Sequence, residues 1–380
     1  MAATVFLHIG LPKTATTYLQ SILWGNEDVL GEQGILLPGP ERRFHYWCTR
    51  VVREDVTFAE RASARQRGAW DRVRADVEAW PRTAVISHEF FAAATADQAA
   101  RMVAGLAPAE VHLVVTAREP LGLFAASWQE YVKNRGIISM ERFSDTVSED
   151  PSDVWNWRGL DLRLVLERWA PAFAADHVHV LPLPLRDAPR REMWDRFAGL
   201  IGVDPGSVDV GQGFANASMG VVEAETLRRV NHHLDAFNSA IDRGTYIRSY
   251  LADERLVPRG GERFWPAPER VEEIRQRGRA AVDHVREHGY DVRGELDSLL
   301  VPDTLPERRT PETVTDSEVA QVAAELVATM LGDVRDLRHE RRDLRAELAA
   351  AQERARHPGL RLALVTKYPW LRRFVQTPPA

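Results

Sequence analysis

Short apolar runs, each followed by a stretch with helical spacing, dominate the first half of the sequence. The first run, residues 4–9 (TVFLHI), is interrupted only by His8. A run of this kind is typical of a strand that is buried on both faces of a parallel sheet. Apolar residues then recur at i, i+3 and i+4 on one face of a predicted helix: Leu19, Ile22 and Leu23.

The same alternation continues further along the chain. Strands are predicted at 83–87, 111–116 and 178–181, and helices at 95–107, from Pro120 to about Asn134, and at 190–201. This order predicts an α/β fold with three layers, α/β/α, in which helices cover both faces of a mostly parallel central sheet. In such folds ligands bind outside the carboxyl ends of the strands.

Four regions are predicted from the composition. Residues 1–300 form the main domain, and 301–315 form a linker because three prolines lie there among polar residues. Residues 316–356 keep a heptad register, which predicts a coiled-coil helix and a homo-oligomer formed through it; the alternative is a single solvated helix that lies on the domain. Residues 357–380 form a basic aromatic tail, which either docks on the domain or makes peripheral contact with a membrane.

Charge and cysteine content narrow the function classes. A net charge of −6 and a pI near 6.1 argue against a surface built for nucleic acid. The single cysteine, Cys48, allows no internal disulfide. The first residues lack a signal-peptide pattern, and no stretch approaches the ~20 apolar residues that span a bilayer. We therefore expect a cytoplasmic protein, with the inner face of the membrane as the alternative location if the tail binds lipid.

The most informative motif is the segment from Gly10 to Thr17 (GLPKTATT), between the first strand and the first helix. Such a junction directs backbone N–H groups and a helix N-terminus at one point and so predicts an anion site. Lys13 adds a full positive charge. In the common loop for magnesium nucleotides, four residues and a second glycine stand between the first glycine and the lysine. Here Lys13 follows Gly10 by only three residues and no glycine directly precedes it, which disfavours a loop of that kind.

This segment resembles the 5′-phosphosulfate loop of sulfotransferases that use 3′-phosphoadenosine 5′-phosphosulfate (PAPS) and have a P-loop-like fold. The matching residues are Pro12, Lys13, Thr14, Thr16 and Thr17. Ala15 stands where the family usually has glycine, so the backbone there must either avoid a positive φ or accept strain.

The resemblance implies roles for residues at two other strand ends. Arg118 and Ser127 would hold the 3′-phosphate, although Ser127 lies one residue further on than is common in the family. The alternative for Arg118 is a surface ion pair with Glu119 or Glu130. Either His88 or Glu89 would accept the proton of the acceptor.

Two further expectations complete the predicted site. His45 is a candidate for the acceptor side, with a plain loop histidine as the alternative. No metal is expected, because the reaction needs none and no cluster of cysteine and histidine with ligand spacing stands out.

The resemblance, with these residues, implies a PAPS-dependent sulfotransferase that transfers a sulfuryl group to a hydroxyl or amine of a carbohydrate, a glycolipid or a small metabolite. Two alternatives come from other classes. The first is a P-loop kinase or nucleotide phosphotransferase, which would require Mg²⁺. The second is a scaffold without activity, in which the coiled coil is the working part.

Overall fold

The computed structural model describes residues 2–185, 187–189, 191–211, 218–356 and 367–368. The described chain divides into two compact units, one that ends at Val319 and one that begins at Ala320. None of the described helices is both long and apolar enough to cross a membrane. The predicted tail lies outside the described residues, apart from Lys367 and Tyr368.

One six-stranded sheet organises the first unit. Its strands are β1 (Thr4–His8), β2 (Ile35–Leu36), β3 (Thr83–Ser87), β4 (Glu110–Ala117), β5 (Val178–Pro182) and β6 (Asp291–Val292). They lie in the order β2-β3-β1-β4-β5-β6, and every neighbouring pair is parallel. The predicted α/β fold with a mostly parallel sheet is confirmed, and β1 occupies a central place between β3 and β4.

The connections between strands are helical. The α-helices are α1 (Thr16–Gly25), α2 (Glu27–Glu32), α3 (Arg43–Val52), α4 (Val56–Arg61), α5 (Ala64–Arg67), α6 (Ala69–Ala79), α7 (Ala96–Ala104), α8 (Pro120–Lys133), α9 (Trp157–Leu160), α10 (Leu162–Trp169), α11 (Glu192–Ile201), α12 (Val221–Asn231), α13 (Ala240–Asp242), α14 (Pro268–His288) and α15 (Asp316–Arg356). Residues Arg243–Leu256 form a π-helix, and short 3₁₀ turns, among them Glu89–Ala93 after β3, make up most of the remaining helical structure.

Both faces of the sheet are buried. Phe6 on β1 belongs to a core cluster with Leu19 of α1 and Phe197 of α11. Val5 and Leu7 alternate with Phe6 and point to the opposite face, yet both are fully buried. Burial on two faces explains why β1 reads as a continuous apolar run in the sequence.

The segment predicted as a linker is instead part of the first unit. The Trp265 amide donates to the Arg309 carbonyl at 3.1 Å, and Arg309 Nη1 lies 2.7 Å from Glu318 Oε1. Val301 and Val314 are buried. Prolines in this segment fix φ and so stiffen the backbone, which packs against the domain and includes the 3₁₀ turn Pro311–Thr313.

Residues 316–356 form the single continuous helix α15, as the heptad pattern suggested. Several apolar side chains at predicted seam positions are exposed: Val327, Met330, Val334, Leu337, Leu344 and Leu348. The coiled coil and the homo-oligomer stay predictions.

Candidate active site

The backbone between β1 and α1 continues to pair with β4 after β1 itself has ended. The Ile9 amide donates to the Val114 carbonyl at 3.0 Å. Two residues later the Leu11 amide donates to the Thr116 carbonyl at 2.8 Å. Gly10 lies between them with φ +29°, and a Cβ there would come within 2.7 Å of Thr116 Oγ1. Glycine is therefore required for the loop to pass this close to the end of β4.

The next residues form a concave loop, which we call the amide cradle, from Lys13 to Thr17. Lys13 and Ala15 both have φ of 64°, in the left-handed region, so the backbone accepts the strain that alanine brings to this position. Such turns direct successive N–H groups to one side and bind anions. In the described chain, the amides of Lys13, Ala15, Thr16 and Thr17 donate to no other group. The positive end of α1, which begins at Thr16, adds to this field.

A buried hydrogen-bond network supports the amide cradle. Thr14 Oγ1 lies 2.7 Å from Thr116 Oγ1, which in turn lies 3.2 Å from His8 Nε2. His8 Nδ1 lies 2.8 Å from Ser87 Oγ, so the network joins the loop to the ends of β4, β1 and β3. Burial is the main cause that lowers the pKa of His8 to about 3, and the nearby His88 lowers it further. The ring therefore stays neutral and can both donate and accept a hydrogen bond.

The role of His8 was not among the sequence predictions. In the sequence, this role is indicated only by the position of His8, a polar residue that interrupts an otherwise apolar strand next to the loop. A buried polar side chain needs partners, and these come from residues that are distant in the sequence.

The Lys13 side chain reaches α8 and is not directed into open solvent. Its Nζ lies 3.0 Å from Glu130 Oε2, and the Lys13 side chain is 37% exposed while that of Glu130 is 5% exposed. Arg248, from the π-helix, pairs with the other carboxylate oxygen of Glu130. Burial by itself would raise the pKa of Glu130, but Lys13 and Arg248 outweigh it and hold the pKa below its usual value. Glu130 is therefore an ionised partner for two cations.

Arg118 follows β4 directly and lies half-buried over the first turn of α8. A Cβ at Gly122 would come within 2.9 Å of its guanidinium, so this glycine leaves room for the arginine. Neither predicted alternative ion pair forms, because Glu119 caps α8 with its carboxylate and Glu130 is paired as described. Within the described residues, the Arg118 guanidinium makes no hydrogen bond or ion pair.

Ser127 lies within α8 and is fully buried. Its hydroxyl has no hydrogen-bond partner in the described chain. An unpaired buried hydroxyl costs about 1–3 kcal/mol, so this position is unusual unless a ligand completes it.

His88 and Glu89 follow β3 and stand beside the amide cradle, because the His88 amide donates to the His8 carbonyl at 3.0 Å. The Phe90 amide donates to His88 Nδ1 at 3.1 Å. A neutral ring that accepts at Nδ1 carries its proton on Nε2, so it has no free lone pair for a further proton. Burial lowers the pKa of His88, with Glu89 opposing the shift, so the neutral ring is the relevant form.

Glu89 differs from His88 in having an acceptor atom to spare. Its Oε2 is buried without a hydrogen-bond partner in the described chain, 3.6 Å from His88 Nδ1. Of the two predicted bases, Glu89 is therefore the one with an unused acceptor.

The expectation that His45 contacts the acceptor is not supported, and the alternative of a loop histidine is also wrong. His45 lies in α3 and is fully buried. Its Nε2 is 2.8 Å from the Pro38 carbonyl, and its Nδ1 accepts from the Ser87 amide at 3.2 Å. With both ring nitrogens used by backbone groups, His45 supports the end of β3 and has none left for a substrate.

An open cavity of about 440 Å³ adjoins these residues. Its lining residues are Phe90, Asn134, Arg135, Trp155, Arg243 and Arg248. Phe90 and Trp155 meet edge to face, with ring centroids 5.8 Å apart. Arg248 connects the cavity to the amide cradle through Glu130 and Lys13. The cavity thus offers aromatic walls and several positive charges close to the candidate base.

No family model matches the chain, and no curated protein matches it. Among solved structures, the chain is similar to the crystal structure of a sulfotransferase from Alicyclobacillus acidocaldarius, with 17% identity and a TM-score of 0.40. The similarity covers 64% of this chain and 100% of that one. This similarity is too distant to assign an activity, so a functional proposal has to rest on the residues of the site.

The positive φ of Ala15 leads to a prediction about stability. Alanine in the left-handed region is strained, so Ala15→Gly should raise the free energy of unfolding by about 0.5–1 kcal/mol, measured by urea denaturation. The matched control is Ala75→Gly in the exposed interior of α6, where glycine should lower stability by about 0.5–1 kcal/mol. Destabilisation by both substitutions would show that residue 15 does not adopt this conformation.

Proposed function

We propose that this protein is a sulfotransferase that transfers a sulfuryl group from PAPS to an acceptor hydroxyl or amine. The observation that carries the proposal is the amide cradle, in which the amides of Lys13, Ala15, Thr16 and Thr17 lack acceptors in the described chain beside the Lys13 ammonium. Unpaired donors at a strand-to-helix junction suit a diphosphate-like anion such as a phosphosulfate.

The residues after β4 suit the second anionic group of PAPS. The Arg118 guanidinium makes no hydrogen bond or close ion pair in the described chain, although Glu119 acts on it electrostatically, and a guanidinium binds phosphate with two parallel hydrogen bonds. The buried hydroxyl of Ser127 would gain an acceptor from a phosphate oxygen, which would remove the cost of leaving it unpaired. We therefore propose that these two residues hold the 3′-phosphate.

PAPS supplies the sulfuryl group, and 3′-phosphoadenosine 5′-phosphate is the product. The amide cradle and Lys13 provide fixed donors where negative charge grows during transfer, which is usually the largest single contribution to catalysis. Lys13 must exchange part of its contact with Glu130 for the ligand. Arg248, which already pairs with Glu130, keeps that carboxylate neutralised when Lys13 turns towards the ligand.

Glu89 is the proposed proton acceptor. Its buried, unpartnered Oε2 can take the proton of the acceptor hydroxyl, whereas the ring of His88 is oriented by the Phe90 amide. His88 then acts as a positioning residue beside Glu89. This assignment favours one of the two bases that the sequence left open.

The cavity beside Phe90 and Trp155 is the proposed acceptor site. Aromatic walls favour a ring-shaped substrate such as a sugar or a phenol. Arg135, Arg243 and Arg248 favour an acceptor that carries negative charge, because each guanidinium has donors beyond those used by its present partners.

Substitution of Lys13 tests the proposal most simply. Lys13→Ala removes a donor to the developing charge and should lower the rate of transfer from labelled PAPS by about 100-fold or more. Arg118→Ala should weaken binding of 3′-phosphoadenosine 5′-phosphate, measured by calorimetry. Arg74→Ala, which removes an arginine from an exposed ion pair on α6, is the matched control and should change neither quantity.

The same assay separates the alternative functions. Transfer from PAPS without added Mg²⁺ supports sulfuryl transfer, whereas phosphoryl transfer from ATP that requires Mg²⁺ would support a kinase. Wild-type turnover by Lys13→Ala would exclude the Lys13 ammonium from the mechanism. Absence of heat on titration with the bisphosphate would support a scaffold.

The choice of base leads to a second prediction. Glu89→Gln keeps the shape but cannot accept a proton, so it should lower kcat by about 10²–10⁴-fold while leaving bisphosphate binding unchanged. His88→Gln, measured in parallel, should have a smaller effect on kcat. A larger loss for His88→Gln than for Glu89→Gln would assign the base to the histidine.

A further inference from the structure

A second cluster of ionisable side chains lies at the opposite end of the sheet. Glu110 and His112 stand two residues apart at the beginning of β4. His177 ends the 3₁₀ turn that precedes β5, and His179 is the second residue of β5. Along β4, Glu110 lies about 23 Å and His112 about 17 Å from Ala117, the last residue of the strand, which Arg118 follows. It is therefore separate from the proposed active site.

We propose that Glu110, His112 and His177 form a binding site for a divalent transition-metal ion of the zinc type. The three ligand atoms lie within 4.8 Å of one another. His177 Nε2 is 3.1 Å and His112 Nε2 is 3.4 Å from the same oxygen, Oε1 of Glu110. Ligands of a tetrahedral zinc ion are separated by about 3.3 Å, given bonds of about 2.0–2.1 Å, so the distances to Glu110 already match.

A chain of hydrogen bonds behind His112 fixes which of its nitrogens faces the cluster. Asp291 Oδ2 lies 2.7 Å from His179 Nδ1, and His179 Nε2 lies 2.9 Å from His112 Nδ1. The carboxylate accepts the proton of His179 Nδ1, so His179 Nε2 accepts the proton of His112 Nδ1. This leaves a lone pair on His112 Nε2. Carboxylate and histidine partners of this kind orient metal-binding imidazoles in many proteins.

The lone pair on His112 Nε2 then faces an acceptor. At 3.4 Å from it stands Glu110 Oε1, a carboxylate oxygen that has no proton to offer. A cation between the two atoms would turn this repulsion into two bonds. The alternative to a metal ion is a proton on His112 Nε2. That proton would create an imidazolium ring stacked on the rings of His177 and His179, whose centroids lie 4.3 and 5.1 Å from that of His112.

Exposure and ligand type indicate which ion fits. The Glu110 side chain is 54% exposed and that of His177 is 28% exposed, so an ion can enter and a water can fill the fourth position. Two imidazoles and one carboxylate suit zinc, cobalt or nickel, whereas magnesium and calcium prefer oxygen ligands. Arg293 donates to Asp291, the carboxylate that lies behind the histidines. In the described chain it pairs with none of the three proposed ligands.

This site is not recognisable as a metal-ligand motif in the sequence, and no metal was expected. Its two pairs of residues, Glu110 with His112 and His177 with His179, are far apart in the chain. They meet because β4 and β5 are parallel neighbours, with Val114 opposite His179. An ion here would join β4 to the turn that precedes β5 and would stabilise the folded state by binding it preferentially.

The test is calorimetric titration of the full chain, without a polyhistidine tag and after treatment with a chelator, using zinc chloride and then magnesium chloride. We expect saturable binding of one zinc ion per chain and no binding of magnesium. His112→Gln and His177→Gln should each weaken zinc affinity at least about tenfold, and His179→Gln should weaken it about tenfold to hundredfold through the loss of orientation. Thermal unfolding in chelator shows whether each variant folds.

Two further variants keep the result decisive. Glu110→Gln alters a half-exposed side chain whose ion-pair partners in the described chain are His112 and His177, so it should weaken binding with little loss of stability in chelator. His284→Gln is the matched control, because His284 and His288 on α14 also form a close histidine pair, with ring centroids 4.1 Å apart. Absence of saturable zinc binding by the wild-type chain, or affinity that is lost in His284→Gln but unchanged in His112→Gln and Glu110→Gln, would overturn the proposal.

Discussion

The attachment of the β1–α1 loop to the end of β4 determines the geometry of the proposed active site. Thr116 makes this attachment twice, since its carbonyl accepts the Leu11 amide and its hydroxyl meets Thr14 and His8. The loop is thereby held in a strained conformation in which the amides of Lys13, Ala15, Thr16 and Thr17 have no acceptor in the described chain. Arg118 lies only two residues beyond Thr116, so the second proposed anion-binding group follows the same strand end to which the loop is attached.

Much of this arrangement could be predicted from the sequence. Buried strands are recognisable because apolar runs on both faces leave no alternation, and the carboxyl ends of parallel strands lie at one edge of the sheet. Lys13, Arg118 and the pair His88 and Glu89 follow the three adjacent strands β1, β4 and β3, and the structure brings them to that edge. The sequence allowed two conformations at Ala15, one of them with a positive φ, and could not distinguish them. The reason is that a sequence does not show how much backbone strain the surrounding structure tolerates.

Other features depend on contacts that local patterns do not report. His45 has the same sequence appearance as a substrate-binding histidine, and only its two backbone partners show that it is structural. The buried partners of His8 lie on other strands. The predicted linker contains typical linker residues, but packing of Val301 and Val314 holds it on the domain. The histidine cluster at the other end of the sheet arises in the same way, from the pairing of two distant strands.

The proposed function requires that the amides of Lys13, Ala15, Thr16 and Thr17 are available to an anionic nucleotide. Residue-resolved amide hydrogen exchange, with and without saturating 3′-phosphoadenosine 5′-phosphate, measures this directly. We predict that exchange at these four positions slows on binding, while the exposed amides of α6 are unaffected. If the bisphosphate binds and these four amides exchange at unchanged rates, or if it does not bind, the central claim is contradicted.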